Sequence, residues 1–213
     1  VAEKQIDFAV HSLKDVPSDI PESLTIACIP KRESVNDVFI TNDGSNLQTI
    51  QSGAVIGTSS LRRAVQVSRI RPDAVVKPVR GNIETRINKV TDGKFDAIVL
   101  AQAGISRLGL DVKHSVLSTK DFPPSPGQGA LAIICRTDDD KTISMLKKIE
   151  DKKSRMEIEA ERALSEYVES GCRFPVGALA IANSSVLKLT VAVYSVDGKK
   201  SVIIEKTGDI DKP

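Results

Sequence analysis

AVIGTSSLRRAVQVSRIRPDAVVKPVRGNIETRINKVTDGKFDAIVLA, residues 54–101, is the stretch that decides the fold. Three apolar runs, Ala54–Gly57, Ala74–Val79 and Phe95–Ala101, read as strands. Ser59 and Ser60 offer hydroxyls for a helix N-cap, and the helix they start runs from about Leu61 to Ile70, ending before Pro72. Asn82 caps a second helix that reaches about Thr91, with Gly93 just past its end. Strand, helix, strand, helix, strand predicts parallel strands joined by right-handed crossovers. The charge of this stretch is uneven. Between Gly57 and Val90 stand Arg62, Arg63, Arg69, Arg71, Lys77, Arg80, Arg86 and Lys89 against Asp73 and Glu84, a local net of +6. The whole chain of 213 residues carries only +2, so the remainder sums to −4.

Outward from this unit, Ile6–Val10, Leu24–Ile29 and Ala130–Cys135 read as further strands. Phe122–Gly129, with three prolines, reads as a rigid crossover rather than a linker. Thr142–Ile149 and Arg155–Ser170 look helical; in the second, Met156, Ala160, Ala163, Leu164, Tyr167 and Val168 recur at helical spacing, and Gly171 follows it. Beyond it the period changes to two. Val186–Tyr194 alternates, Asp197-Gly198 is a hairpin turn and Ser201–Glu205 returns. The chain is therefore read as α/β, with a separate α+β piece from about residue 150.

Composition removes several function classes. No apolar run reaches the roughly 20 residues of a membrane helix. Five Phe, two Tyr and no Trp leave few stacking platforms for bases, so nucleic acid is not the expected partner. Two histidines, His11 and His114, with no Cys/His cluster argue against zinc and against a Ser-His-Asp triad, and no metal is expected. Three cysteines do not form a disulfide framework, and a reducing cytoplasm is the default.

The arginine turns are the first candidate site. Arg62 and Arg63 sit at a helix start, where free N–H groups and the dipole favour anions. Arg80-Gly81-Asn82 lies at the next strand-to-helix junction, on the same sheet edge, where open α/β sheets bind ligands. A solvated basic face is the alternative for any one of these pairs. His11-Ser12-Leu13-Lys14-Asp15-Val16-Pro17 places a hydroxyl, an ammonium and a carboxylate at a strand end; Asp15 is either a turn cap or a carboxylate that stabilises a cation or moves a proton. Cys28 and Cys135 lie in apolar strands and read as inert thiols. Cys172, beside Arg173 in a Gly- and Pro-bearing loop, is either an unreactive loop cysteine or a thiolate favoured by its neighbour. Gly127-Gln128-Gly129 alone is a tight turn.

Taken together, HSLKDVP (11–17), GTSSLRR (57–63), RGNIETR (80–86), LAQAGISRL (100–108), PPSPGQGALAIICR (123–136) and GCRFPVG (171–177) resemble, in order and spacing, the porphobilinogen deaminase (hydroxymethylbilane synthase) family. The resemblance implies two lobes like those of periplasmic binding proteins, with the site in the cleft between them, and a small α+β third domain. Domain 1 would be residues 1–30 and 128–147, domain 2 residues 35–123, and domain 3 residues 150–213. It implies a transferase of tetrapyrrole (porphyrin, haem) biosynthesis that condenses four porphobilinogens head to tail into hydroxymethylbilane, with loss of ammonia. The dipyrromethane cofactor would hang by a thioether from Cys172, and Asp15 would be the catalytic carboxylate. Ser12, Lys14, Ser59, Ser60, Arg62, Arg63 and Arg80 would hold the cofactor; Arg80, Arg86, Arg107 and Gln128 would hold substrate. Each pyrrole carries an acetate and a propionate, which suits an Arg-rich cleft. Arg69, Arg71 and Lys77 match no motif and are read as a solvated face. A monomer is implied.

The resemblance also implies about two β-α units ahead of Val1 and a last helix after Pro213, so the 213 residues read as a fragment, short of the start of domain 1 and the end of domain 3. If they were the whole chain, weak or absent synthase activity would be expected. Two rival readings remain at this point. One is a non-catalytic two-lobed protein that binds small anions. The other is a cysteine hydrolase that uses Cys172 with His11 or His114.

Overall fold

Val38-Phe39-Ile40 and Ala97-Ile98-Val99-Leu100 are apolar on both alternations, and the structure buries both runs. In this computed structural model, which describes residues 1–169 and 174–210, they are the middle of a five-stranded sheet. Its strands are β3 (Asp37–Thr41), β4 (Val55–Gly57), β5 (Val75–Lys77), β6 (Ala97–Ala101) and β7 (Ser115–Val116), in the order β5-β4-β6-β3-β7. β4 pairs parallel with both β5 and β6, as the 54–101 pattern predicts. β3 is antiparallel to β6 and to β7. Helix α1 (Leu61–Ile70) covers one face through Val67, packed with Phe39, Ile56, Val99 and Phe122. Helices α2 (Ile83–Thr91) and α3 (Gln102–Leu108) cover the other, where Val90 and Ile105 meet Val38, Ile40, Ile98 and Leu100. A sheet covered on both faces needs unbroken apolar strands, which is why period two is absent here.

A second sheet joins distant parts of the chain. β1 (Phe8–Ser12) and β2 (Leu24–Cys28) flank β8 (Leu131–Arg136), both antiparallel to it. α4 (Asp140–Leu146) covers the side bearing Cys28 and Cys135, and α5 (Lys152–Glu169) the side bearing Ile134 and Ala132. The third sheet is β9 (Val176–Ala182), β10 (Val186–Tyr194) and β11 (Ser201–Asp209), antiparallel in the order β11-β10-β9.

Three expectations change. The first strand is Phe8–Ser12 rather than Ile6–Val10, so His11 and Ser12 are inside it. The buried face of α5 is rotated from the apolar stripe: Ser154, Glu157, Ile158 and Glu161 are buried, whereas Tyr167 is 83% exposed. The carboxylates can be buried because donors meet them. Arg32 grips Glu161 with both terminal nitrogens at 2.8 and 2.9 Å, and the Ala180 and Ala182 N–H groups donate to Glu161 and Glu157. Finally, Arg69 and Arg71 are not idle surface charge. Arg69 donates to the Gly198 carbonyl and to Ser201 Oγ, while Arg71 binds the Leu47 and Ile50 carbonyls and pairs with Asp73.

Candidate active site

The turn after β1 is anchored at one residue and open at the next two. Leu13 is buried against Ile29, Ala130 and Ile158, its N–H donates to the Ala130 carbonyl, and Val16 N–H closes the turn on the Leu13 carbonyl. Lys14 and Asp15 therefore point away from this core. The neighbouring turn at Gly127-Gln128-Gly129 must come this close: a Cβ on Gly127 would meet Leu13 at 2.4 Å, and one on Gly129 the Glu33 carbonyl at 2.5 Å. Both glycines have positive φ, so the segment is closed to other residues on two counts.

At the C-terminal edge of β4, Ser60 caps α1 by accepting from Arg63 N–H. Ser59 Oγ donates to the Val79 carbonyl at 2.7 Å and accepts from its N–H at 3.1 Å, tying the first arginine turn to the second. Asn82 caps α2 through the Thr85 N–H. Arg62 and Arg63 then turn inward. Both are buried, and both pair with one fully buried carboxylate, Asp37, with contacts of 2.7 Å to each of its oxygens. Burial works to raise the Asp37 pKa, but the two guanidiniums outweigh it and hold the carboxyl below the ordinary aspartate range. Gln128, also fully buried, donates to Asp37 and to the Val35 carbonyl and accepts from Arg63. A cation pair at a helix start has here become a knot of two arginines, one aspartate and one glutamine.

Two cavities open on either side of this knot. The larger, about 460 Å³, is lined by Lys14, Arg62, Arg162, Ser125, Ser165 and apolar residues that include Val168 and Phe174. The smaller, about 210 Å³, is lined by Ser12, Lys14, Asp15, Arg63, Arg86 and Arg107. Lys14 lines both. Burial and the nearby Arg63 and Arg62 hold its ammonium below the usual lysine range, against the pull of Asp15 and Asp37. Arg86 is steadied by the Gly81 carbonyl and Arg107 by the Gly129 carbonyl, which leaves donors of each guanidinium for a ligand. Ser59, Ser60, Arg80 and Gln128 line neither cavity. Arg80 is exposed at its turn, where its carbonyl accepts from Lys89.

Residues 1–144 match the family described as "Porphobilinogen deaminase, dipyromethane cofactor binding domain", and residues 155–213 match "Porphobilinogen deaminase, C-terminal domain". The chain belongs to the porphobilinogen deaminase family. Among its relatives, a protein of Nitrosopumilus maritimus named probable porphobilinogen deaminase is 68% identical over 213 residues, covering 100% of this chain and 68% of that protein. The porphobilinogen deaminase of Sorangium cellulosum is 47% identical over 199 residues, covering 93% of this chain and 66% of that protein. The chain spans about two thirds of the length of these relatives. Among solved structures, the periplasmic VFT2 domain of Bordetella pertussis BvgS gives a TM-score of 0.40 at 17% identity, covering 76% of this chain and 68% of that one. The sulfonate-binding protein SsuA of Methylobacillus flagellatus gives 0.39 at 14%, covering 79% and 52%. Hydroxymethylbilane synthase activity, the head-to-tail condensation of four porphobilinogens in tetrapyrrole biosynthesis, and the dipyrromethane cofactor come with family membership. The rival readings as a bare anion binder or a cysteine hydrolase fall away.

The larger cavity fits a deaminase cofactor on the residues present. Among the described residues Arg62 Nε is buried without a hydrogen-bond partner, an orphaned donor in a residue that lines the cavity. Lys14 and Arg162 add two more cations for a dicarboxylate-bearing pyrrole pair. Cys172 lies outside the described residues; Val168 and Phe174, which flank it in the chain, line this cavity. Cys28 and Cys135 are buried and free, and burial, then Glu150, pushes the Cys28 thiol up to about 11, consistent with inert packing. Asp37 is the site residue that the sequence reading missed. Its signal was a carboxylate at the head of Val38-Phe39-Ile40, where burial would demand a cation. No helix among the described residues is long and apolar enough to cross a membrane.

Proposed function

We infer that the two cavities are the cofactor and substrate ends of one deaminase site, with the Lys14-Asp15 turn between them. The observation that carries this reading is that one short turn contributes to both: Lys14 with Arg62 to the larger, Lys14 and Asp15 with Arg63, Arg86 and Arg107 to the smaller. Arginine forks match the acetate and propionate of each pyrrole bidentately, so Arg86 and Arg107 orient a porphobilinogen by its carboxylates, while Arg63, whose fork is held by Asp37, Val99 and Gln128, adds its charge from behind. Among the described residues no hydrogen bond holds the Asp15 carboxylate, so it is available to a pyrrole N–H. There it stabilises the positive charge that spreads over the ring when ammonia leaves and when the new carbon–carbon bond forms. When bound, the dipyrromethane supplies the pyrrole end onto which new units are added. Arg62, Lys14 and Arg162 would face its carboxylates, Cys172 would carry its thioether, Ser12 would sit at the substrate end that it lines, and Ser59, Ser60 and Gln128 would act by fixing the arginine turns. Arg80, at the surface of the second turn, would meet carboxylates as the product lengthens. On this reading, residues 1–30 with 128–147, 35–123 and 150–213 are the three domains of a cytoplasmic monomer, and the free buried thiols suit a reducing compartment.

Lys14 gives the reading a pH signature. Its pKa is lowered, so the ammonium that attracts carboxylates is present below that pKa and lost as pH rises through it. The KM for porphobilinogen is therefore expected to climb on the alkaline side before an ordinary lysine would titrate. Lys14→Arg should abolish that climb, because guanidinium stays charged. An alkaline KM profile identical in the two proteins would remove Lys14 from the site.

The site assignment is tested by the intact mass of the full chain purified from cells. An added mass of two pyrrole units, mapped by peptide digestion to Cys172 and missing from Cys172→Ser, is expected. An adduct elsewhere, or a bare chain, would overturn the assignment.

A further inference from the structure

Arg62 is held on more sides than its salt bridge requires. Nη2 meets Asp37 at 2.7 Å, while Nη1 donates to the Pro123 carbonyl at 2.6 Å and to Gln66 Oε1 at 3.1 Å. The Phe122 ring lies 5.8 Å from the guanidinium carbon. Gln66 sits one turn further along α1 and is 1% exposed. Arg62 can only donate, so Gln66 must present its oxygen to it, and this fixes where the amide nitrogen points. That nitrogen donates to the same Pro123 carbonyl at 3.0 Å and to Tyr194 Oη at 3.4 Å.

Tyr194 belongs to the far unit of the molecule. It ends β10, packs its ring with Ala192 against Val65 of α1, and lies under the Arg69 guanidinium at 5.5 Å. Burial pushes its phenol above the ordinary tyrosine range, against the Gln66 hydrogen bond and the nearby Arg69 and Arg62. Its backbone N–H donates to the Pro175 carbonyl at 3.0 Å, three residues after Cys172 in the chain. The crossover at Pro123-Pro124 is clamped in the same place: Pro124 accepts from Ala178 N–H at 2.8 Å, and Gly177 leaves no room for a Cβ against Pro123, which would come within 2.7 Å. One tyrosine thus fixes the backbone leaving the Cys172 segment and, through one buried amide, the orientation of Arg62.

We propose that Gln66 and Tyr194 are positioning residues that register the Arg62 guanidinium against the Cys172-bearing unit, so that one end of the cofactor meets its carboxylate ligand while the other meets its thiol. The proposal rests on the reading of Arg62 as a cofactor ligand. It asks more of the fold than that reading does, because it makes the helix-to-sheet contact part of cofactor assembly. Neither residue touches cofactor or substrate, and both act through Arg62.

The test follows cofactor assembly rather than turnover. Apo-protein of the full chain is incubated with porphobilinogen, and the gain of two pyrrole units is timed by intact mass. Gln66→Leu is expected to slow the gain about tenfold and Tyr194→Phe about threefold, the latter with its ring packing intact and its melting temperature little changed. Arg62→Lys, which keeps a charge beside Asp37, should slow it more than either. In the Arg62→Lys background, Gln66→Leu should slow it no further, a non-additivity that a general packing defect would not produce. If Arg62→Lys assembles cofactor at the normal rate, the cofactor-ligand reading itself fails and the proposal with it. If Arg62→Lys is slow but Gln66→Leu is not, or if Gln66→Leu slows both backgrounds equally, the positioning role alone is overturned.

Discussion

Asp15→Asn is expected to lower kcat by a factor of roughly 10²–10⁴, the range for a carboxylate that moves protons or stabilises charge at a reacting centre. The substitution keeps size and hydrogen-bonding atoms but removes the negative charge. Around the smaller cavity Asp15 stands among Lys14, Arg63, Arg86 and Arg107. On the proposed reading those cations would hold carboxylates but oppose positive charge developing on a pyrrole ring, so Asp15, the one carboxylate lining that cavity among the described residues, would have a disproportionate role. Folding should be spared: the turn is anchored by Leu13 and the backbone, and no side-chain hydrogen bond of Asp15 is lost among the described residues. KM should change less than kcat, because on the proposed reading the cations, not Asp15, hold the acetate and propionate. Steady-state kinetics with porphobilinogen alongside thermal melts give the check. A variant with near-normal kcat, or one that loses activity only because it unfolds, would remove Asp15 from the chemistry.

Local signals made the central unit legible, and long-range pairing hid the rest. The helix over Leu61–Ile70 follows from Ser60 at its start and Pro72 beyond its end, and α2 from Asn82 and Gly93; these are short-range rules, and the structure keeps those limits. β3 escaped because Asp37 opens it, and a charged residue at the head of an apolar run reads as a loop until its partners are known. Those partners are 25 and 26 residues later in the chain. The same blindness affected the basic patch. Its count of +6 treats Arg62 and Arg63 as free, whereas Asp37, outside the counted segment, balances one of them. In α5 the apolar stripe pointed to Tyr167, but Glu157 and Glu161 occupy the buried face, since their donors, from β9, Arg32 and the Gly127 N–H, come together only on folding. The turn motif at Lys14-Asp15 was legible in residue types; that one turn lines two cavities was not.

Asp37→Ala should have the largest effect on stability. It would leave two buried guanidiniums facing each other without a carboxylate, and removing one partner of a buried ion pair costs about 3–5 kcal/mol. Against a total stability of about 5–15 kcal/mol that is a large fraction, and at roughly 2–4 °C per kcal/mol the melting temperature should fall by about 10 °C. Asp37→Asn, which keeps one acceptor oxygen, should lie between the variant and the parent. The pH dependence gives a second, independent reading. The Asp37 carboxyl is held below its ordinary range, so its stabilising contribution is complete above the unfolded pKa of about 3.9 and is lost as pH falls toward the depressed folded value. The gap in melting temperature between the parent and Asp37→Ala should thus be constant near neutrality and narrow on acidification below about pH 4. A gap that stays level into strong acid would mean that packing, not charge, makes Asp37 matter. A gap of only a degree or two at neutral pH would mean that Arg62 and Arg63 find other partners, and the inward turn of the two arginines would then need a cause other than this carboxylate.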